Sequence, residues 1–465
     1  MQKETQPLRD KVVRKIITIS RRFHYEPLTD ELCTEIKLPK NLTLMALSYL
    51  LDSNHLIKGD PGRGKSTGAR IVASVFGGVP YDLYHSLELQ GHSGQVKEHV
   101  VGRLNFASLN SGYEKMVWMG TIALPVLIVD EGNRLPPEVQ GAILQGIESK
   151  RWNYSGNHTY YAGQKPAFIT ANYHDEGTEK LIPPLLDRMD IVTEEKYTGR
   201  NNFITGQTYE KAEEDRRRLL RDPKITTEAM EILRKGEIEE FVKYWKRHRL
   251  STVDPISDEE KEGIARQIKG IKVAKQGKDG EALMHANDAL LFLSAFDAEI
   301  NWSEKYGSKR SVDPISDHPH DKKYLGIYVK NGFSPRSLVA TLEYAKGVAW
   351  IAGRNELDIR DVVAVLPHVI AHKMTYSENF AQPQERKDMI EIAMAKKLVE
   401  IALENYQKVA AAIKNLLERI QKDPEGAAEL NEKEYDHPLQ KSLIATVKDE
   451  VLKFRLHGEE EERLL

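Results

Sequence analysis

One octapeptide limits what this chain can become more than any other stretch. Gly59-Asp60-Pro61-Gly62-Arg63-Gly64-Lys65-Ser66 satisfies the pattern G-x-x-x-x-G-K-[ST] at every required position. A triphosphate needs several backbone N–H donors converging on its oxygens. Only residues without a Cβ let the chain wrap that closely, which accounts for Gly59, Gly62 and Gly64. Lys65 supplies a point charge for the β- and γ-phosphates, and the Ser66 hydroxyl is suited to ligate Mg²⁺. The flanks agree: His55-Leu56-Ile57-Lys58 predicts a short strand, and Ser66 to Phe76 places Ile71, Val72 and Val75 on one helix face. In that order, strand, glycine loop and helix aim a helix N-terminus with its unpaired N–H groups at a phosphate.

A second nucleotide element follows at the right distance. Pro125-Val126-Leu127-Ile128-Val129 is a continuous apolar run of the kind expected for a strand buried on both faces of a parallel sheet, and it ends in Asp130-Glu131. Carboxylates at that end of a strand lie where doubly wound sheets bind ligands. Asp130 is expected to hold Mg²⁺ through water, and Glu131 to orient and polarise the water that attacks the γ-phosphate. Pro137 to Ser149 predicts a helix, and Ala167-Phe168-Ile169-Thr170 another buried strand leading to Ala171-Asn172, whose amide is suited to hold that water. Two hairpins are expected. In one, Leu104 and Phe106 alternate with polar residues before a turn at Asn110-Ser111-Gly112; the other spans Trp152 to Tyr161 around Ser155-Gly156-Asn157.

The length of 465 residues allows two or three domains. A net charge of −3 gives no global attraction to nucleic acid, although a local basic groove stays open. The single cysteine, Cys33, excludes an intrachain disulfide and fits a reducing compartment, so a cytoplasmic location is expected. Met1 to Phe23 is too charged for a signal peptide, and the longest apolar run, Trp118 to Val129, is too short to span a bilayer.

With these segments in place the chain resembles the MoxR-type AAA+ ATPases, of the helix-2-insert branch. The likeness rests on Gly59 to Thr67, on Val129 to Gln140, on Thr170-Ala171-Asn172, on Glu176-Gly177-Thr178 and on Leu186-Asp187-Arg188. It continues in Ser334-Pro335-Arg336, Gly353-Arg354-Asn355 and Asp361-Val362-Val363, and so covers roughly residues 40–375. It implies an α/β fold: a P-loop parallel-sheet core with two hairpin insertions, then an α-helical lid, then a C-terminal helical extension. The corresponding domains are 1–200, 201–375 with an insertion, and 376–465. It further implies Mg-dependent ATP hydrolysis by a homo-oligomeric ring, usually of six subunits, with each ATP between neighbours. Partners of such proteins are protein substrates or von Willebrand A-type proteins. Arg188 matches the arginine finger offered to the neighbouring subunit's site, and Arg336 the second sensor of the lid, acting on its own site or a neighbour's. Arg134 is expected either to bridge subunits or to pair with the glutamate. Gly132 departs from the pattern, in which an apolar residue usually follows the glutamate, and loosens the backbone there.

The rest of the chain reads less sharply. Residues 1–54 are expected to be helical, with stripes at Val12, Val13, Ile16 and Ile17 and at Leu44, Leu47 and Leu51. Val253 to Asp258 recurs identically as Val312 to Asp317, read as two similar turns that start helices. Asp317-His318-Pro319-His320-Asp321 lacks the ligand spacing of a zinc site and is expected to be a surface loop. After a linker at Ala381-Gln382-Pro383, apolar residues from Ile392 to Ile420 step by three and four over four heptads. They predict either a helical hairpin closing on Ile444, Val447, Val451 and Phe454 or an intermolecular coiled coil. Two rival functions remain: a nucleic-acid motor, with Arg103, Lys115, Arg151 and Lys165 beside Tyr and Trp residues of the hairpins, and a scaffold that binds ATP to assemble but hardly turns it over.

Overall fold

The computed structural model describes residues 2–110, 112–154, 158–173, 181–195, 202–273, 286–303, 307–308, 324–378, 380 and 391–450. Several expectations lie outside these residues: Glu176 to Thr178, the second copy of the repeat with the His318–His320 loop, the linker at Ala381 to Pro383, the Ser155 to Asn157 turn, and Val451 and Phe454. The chain divides into two compact units, Met1–Gly270 with Trp350–Gly353, and Ile271–Ala349 with Arg354–Leu465.

The first unit is built on five parallel strands: β3 (His55–Gly59), β4 (Leu89–Gln90), β7 (Leu127–Asp130), β10 (Ala167–Ala171) and β11 (Ile191–Glu195). Their spatial order is β11-β3-β10-β7-β4. Every residue of β10 and β11 is buried, and so are Leu127, Ile128 and Val129 of β7. That is why β7 and β10 read as apolar runs rather than alternating ones, while β11 ends in the buried polar residues Thr193, Glu194 and Glu195. Helix α3 (Lys65–Gly77) returns the chain after β3, and α6 (Pro137–Ser149), with Pro at its start, follows β7. The parallel-sheet α/β core foreseen from the sequence is thus present.

The N-terminal expectation holds in part. Helices α1 (Gln2–Thr18) and α2 (Lys40–Leu51) form, but between them a π-helical turn, Ile19–Phe23, gives way to extended chain. There β1 (Leu28–Thr29) pairs antiparallel with β2 (Leu38–Pro39), and Pro39 forces an extended backbone immediately before α2.

Both hairpins are present. β5 (Gly102–Leu104) pairs with β6 (Met116–Trp118), and β8 (Arg151–Tyr154) pairs with β9 (His158–Tyr161). The first departs from the expected alternation: Phe106 opens a short helix, α5 (Phe106–Asn110), with its ring 78% exposed. The two hairpins meet through Trp118 and Tyr160, whose ring centroids lie 5.8 Å apart, and through His158 Nε2 and Glu114 Oε2 at 3.0 Å. Trp152 is buried against α6, where a Cβ on Gly146 would lie 2.5 Å from the indole ring. Downstream, α8 (Asn202–Leu219), α9 (Pro223–Arg234), α10 (Ile238–Arg247) and α11 (Asp258–Lys269) complete the unit. The first copy of the repeat does start a helix: Ser257 and Glu260 form a reciprocal capping box at α11.

In the second unit, α12 (Asp288–Asn301), α13 (Pro335–Ile351) and α14 (Ile359–Ile370) precede the 32-residue α15 (Glu391–Lys422). The apolar stripe of α15 is spent inside the chain. It packs on α12 and α14, with Ile392, Ala395, Val399, Ala402, Ile413 and Leu416 buried. Tyr406 Oη donates to Asp288 Oδ1 at 2.8 Å, and Asn405 Nδ2 to Glu299 Oε2 at 3.1 Å. A further helix at 438–450 buries Ile444 and Val447. His437, just before it, places Nε2 3.2 Å from Glu299 Oε1, with both side chains about 1% exposed.

Candidate functional site

The glycine loop leaves β3 at the carboxyl end of the sheet and feeds α3, as the flanking residues predict. Gly59, Gly62 and Gly64 have φ of 152°, 75° and 84°. At Gly59 a Cβ would lie 2.5 Å from the Glu195 carbonyl oxygen, so the loop can leave the sheet here only as glycine. The tip, Asp60 to Gly62, is exposed, and Arg63 Nε stands 3.8 Å from Asp60 Oδ2. Thr67 lies in the first turn of α3.

Lys65 folds back beneath this loop. Its ammonium donates to the carbonyls of Gly59 (2.9 Å) and Asp60 (2.8 Å) and to Asn172 Oδ1 (2.7 Å). Burial lowers its pKa from the ordinary lysine value, against the opposing pull of Asp130, Glu131, Asp60 and Glu195. Asn172 passes the connection on: its Nδ2 donates to Glu131 Oε1 at 2.9 Å. Three residues drawn from three segments of the sequence thus share one chain of hydrogen bonds. Beside it, Ser66 Oγ donates to Asp130 Oδ1, and Thr170 Oγ1 donates to the same oxygen at 2.6 Å while accepting from the Glu131 N–H at 2.9 Å. A serine hydroxyl touching a carboxylate at the mouth of a glycine loop is a hard-oxygen donor set of the kind Mg²⁺ takes, so these residues fit that ion. Among the described residues no group of three or more His, Cys, Asp or Glu is placed to hold a metal by itself.

Glu131 adopts φ 50°, a left-handed conformation rare for a non-glycine residue and characteristic of functional sites under constraint. Its Oε2 lies 3.2 Å from Arg134 Nε, so within the chain Arg134 pairs with the glutamate. Gly132 has a packing reason that the sequence did not reveal: a Cβ there would lie 2.5 Å from Ile169 Cγ2 on β10.

The structure brings Lys65, Ser66, Asp130, Glu131 and Asn172 together and sets Arg188 apart. The Arg188 carbonyl accepts from Asn54 Nδ2 at 3.0 Å, at the amino end of β3, whereas the glycine loop begins at its carboxyl end. Five residue steps of strand separate the two ends, about 17 Å at roughly 3.3 Å per residue. The guanidinium pairs with Glu148 of α6 and with Asp187. Arg336 belongs to the second unit, exposed in the first turn of α13.

Sequence reasoning missed three contributors. Thr170 was read only as the end of a strand, yet it ties Asp130 to Glu131. Asn133 exchanges hydrogen bonds with the backbone of Asn172, at 3.3 and 3.4 Å, and its place beside the acidic pair was the available signal. His24 carried no local signal. A Cβ on Gly64 would lie 2.8 Å from its Cε1, so its ring floors the loop, and its Nε2 is 3.9 Å from Glu195 Oε2. Burial lowers the His24 pKa, but the Glu195 and Glu26 carboxylates outweigh it and the net shift is upward. Glu26, whose carboxylate accepts the N–H groups of Asn41 and Leu42 at 2.7 and 2.9 Å, is pushed up to about 7 by burial and by Glu195. Of the four cations noted near the hairpins, Lys165 is turned inward, donating to the carbonyls of Ile122 and Leu124, and burial lowers its pKa to about 7.

Comparison with known proteins agrees with this geometry. Residues 54–189 match the AAA domain (dynein-related subfamily), and residues 325–392 match the AAA lid domain. Residues 54–189 thus match an AAA+ ATPase core and residues 325–392 its lid. Among solved structures, a "putative ATPase" from Cytophaga hutchinsonii is similar at a TM-score of 0.55 and 14% identity, over 86% of this chain and 96% of that one; this likeness is one of fold. No curated protein matches the sequence. Among the described residues no helix is long and apolar enough to cross a membrane.

Proposed function

We propose that the chain is a MoxR-type member of this class. It would hydrolyse ATP with Mg²⁺ in a cytoplasmic homo-oligomeric ring, usually hexameric in such proteins, and use the cycle to remodel a protein partner, a von Willebrand A-type protein among the candidates. The supporting observation is the hydrogen-bonded line Lys65–Asn172–Glu131 beside the Ser66–Asp130–Thr170 cluster. In this reading Gly59 to Thr67 bind the phosphates, with Lys65 placing its charge on the β- and γ-groups, and Ser66 and Asp130 hold Mg²⁺. When bound, that ion neutralises phosphate charge. Glu131 orients and polarises the attacking water, held in place by Asn172 from one side and Arg134 from the other. Arg188, about 17 Å of strand away from its own loop, is the finger for a neighbour. Arg336 is the lid sensor, and 1–200, 201–375 and 376–465 are the core, lid and extension.

The two hairpins supply the working surface. Phe106, Tyr113 and Tyr161 are 78%, 59% and 73% exposed, and such aromatics suit a grip on an unfolded or flexible polypeptide. The nucleic-acid reading retains exposed Arg103, Lys115 and Arg151 but loses Lys165, whose ammonium is turned inward onto the carbonyls of Ile122 and Leu124.

Replacing Glu131 by Gln tests the proposal. Hydrolysis is expected to fall about 100-fold or more, the range typical for loss of a general base, while ATP binding persists. Substantial turnover that Glu131→Gln leaves unchanged would remove Glu131 from the mechanism, whereas turnover at background level in both proteins would favour an assembly scaffold. Stimulation of turnover by single-stranded DNA, with steep salt dependence, would favour the nucleic-acid motor.

A further inference from the structure

A cavity of about 310 Å³ lies in the first unit, away from the glycine loop. One of its walls is the C-terminal part of α3: Val75 lines it, ten residues beyond Lys65, about 15 Å along the helix axis. The opposite wall is a single face of α1. Lys11, Arg14, Lys15 and Thr18 all line the cavity, at the i, i+3, i+4, i+7 spacing of one helical stripe. An N-terminal helix with a cationic stripe ordinarily turns that stripe to water. Here the stripe faces a pocket that Arg22 also lines, and one acidic side chain, Asp254, shares the lining.

The balance of charge is uneven. Lys11 is neutralised by Glu260 at 3.0 Å and Asp254 at 3.1 Å, and Arg22 by Asp215 at 3.1 Å. Arg14 and Lys15 have no carboxylate within ion-pair distance among the described residues. Lys15 is 7% exposed, and among the described residues its ammonium donates to two carbonyls, Val253 at 2.5 Å and Val75 at 3.2 Å, which leaves one N–H. A buried ammonium held by neutral carbonyls is expensive to keep charged. Burial accordingly lowers its pKa to about 8, Asp254 and Glu260 raising it and Lys11 lowering it further. An anion in the cavity would relieve this. Phe23, Val75, Leu219 and Val253 add apolar lining, and Thr252 a hydroxyl-bearing side chain.

We infer that this cavity binds a small organic phosphate: a phosphate monoester on Arg14 and Lys15, with an apolar or aromatic body against Phe23 and Leu219. A guanidinium fork and an ammonium together suit a tetrahedral dianion. The volume is at the lower end of ligand pockets, room for one small molecule rather than a length of peptide.

Calorimetric titration of the full chain, with saturating Mg·ADP filling the glycine loop, provides the test. Phenyl phosphate is the probe, and phenol, inorganic phosphate and a polyglutamate peptide are comparators. Saturable binding of phenyl phosphate is expected, at least tenfold weaker in Arg14→Ala and in Lys15→Met, with inorganic phosphate weaker than the ester and phenol silent. Arg14 is exposed with no bonded partner among the described residues, so Arg14→Ala folds normally and decides the matter even if Lys15→Met does not. Absence of saturable binding, or an affinity unchanged in Arg14→Ala, overturns the site. Tighter binding of the peptide, or equal binding of inorganic phosphate, overturns the assignment to an organic phosphate.

Discussion

At the scale of single residues, the floor of the glycine loop is as consequential as the loop itself. His24, Glu26 and Glu195 form a buried cluster beneath Gly59 and Gly64, and the Glu26 pKa stands near 7 against an ordinary value of 4.5. Its folded pKa is raised, so its stabilising contribution is complete below about pH 4.5 and is lost as pH rises through 7. The raised His24 pKa acts in the same sense. Glu26→Gln cannot ionise and retains one acceptor oxygen for the two α2 N–H groups, a loss that does not itself vary with pH. Its melting temperature is therefore expected to gain on the wild type between about pH 5 and pH 7 and to level off above that. A difference that stays constant over that range would show that Glu26 ionises no differently in the folded and unfolded chain. None of this was legible in the sequence: a lone histidine and two glutamates, with Glu195 some 170 residues beyond the other two, meet only because β11 runs beside β3.

At the scale of elements, legibility followed the range of the forces involved. The strands β3, β7 and β10 and the helix α6 announced themselves because burial on both faces, or a proline at N1, leaves a local mark. The grouping of Lys65, Ser66, Asp130, Glu131 and Asn172 was legible for a related reason, since a glycine loop and an acidic strand end occupy fixed positions in the order of the chain. The first hairpin was foreseen, but the helix at its tip was not, because five residues of weak propensity are decided by tertiary context. Lys165 was misread for the same reason, since its partners come from a loop some 40 residues earlier. The hairpins themselves act as one lobe through Trp118 and Tyr160. A double-mutant cycle of Trp118→Ala and Tyr160→Ala, read by thermal unfolding, is expected to return a coupling of about 0.5–1.5 kcal/mol. Strict additivity would mean that the two hairpins are energetically independent.

At the scale of the whole molecule, the core cannot be a complete catalytic site if Arg188 takes part, because β3 stands between this residue and its own loop. Mixing Arg188→Ala chains with Lys65→Ala chains, each expected to be inactive alone, should restore ATP turnover, since some interfaces then combine an intact loop with an intact finger. Failure to restore activity, with subunit exchange verified by fluorescence energy transfer, would exclude a finger acting across an interface. The strand that separates these two groups carries a further implication. β3 is a short rod with the glycine loop at one end and the anchorage of Arg188 at the other. Closed into a ring, such rods must all point the same way round, so the assembly would have a sense of circulation. In such a ring a shift of the loop at one position would be conveyed along the rod to one neighbour and not to the other, and the strand's own polarity would then set the direction of that coupling.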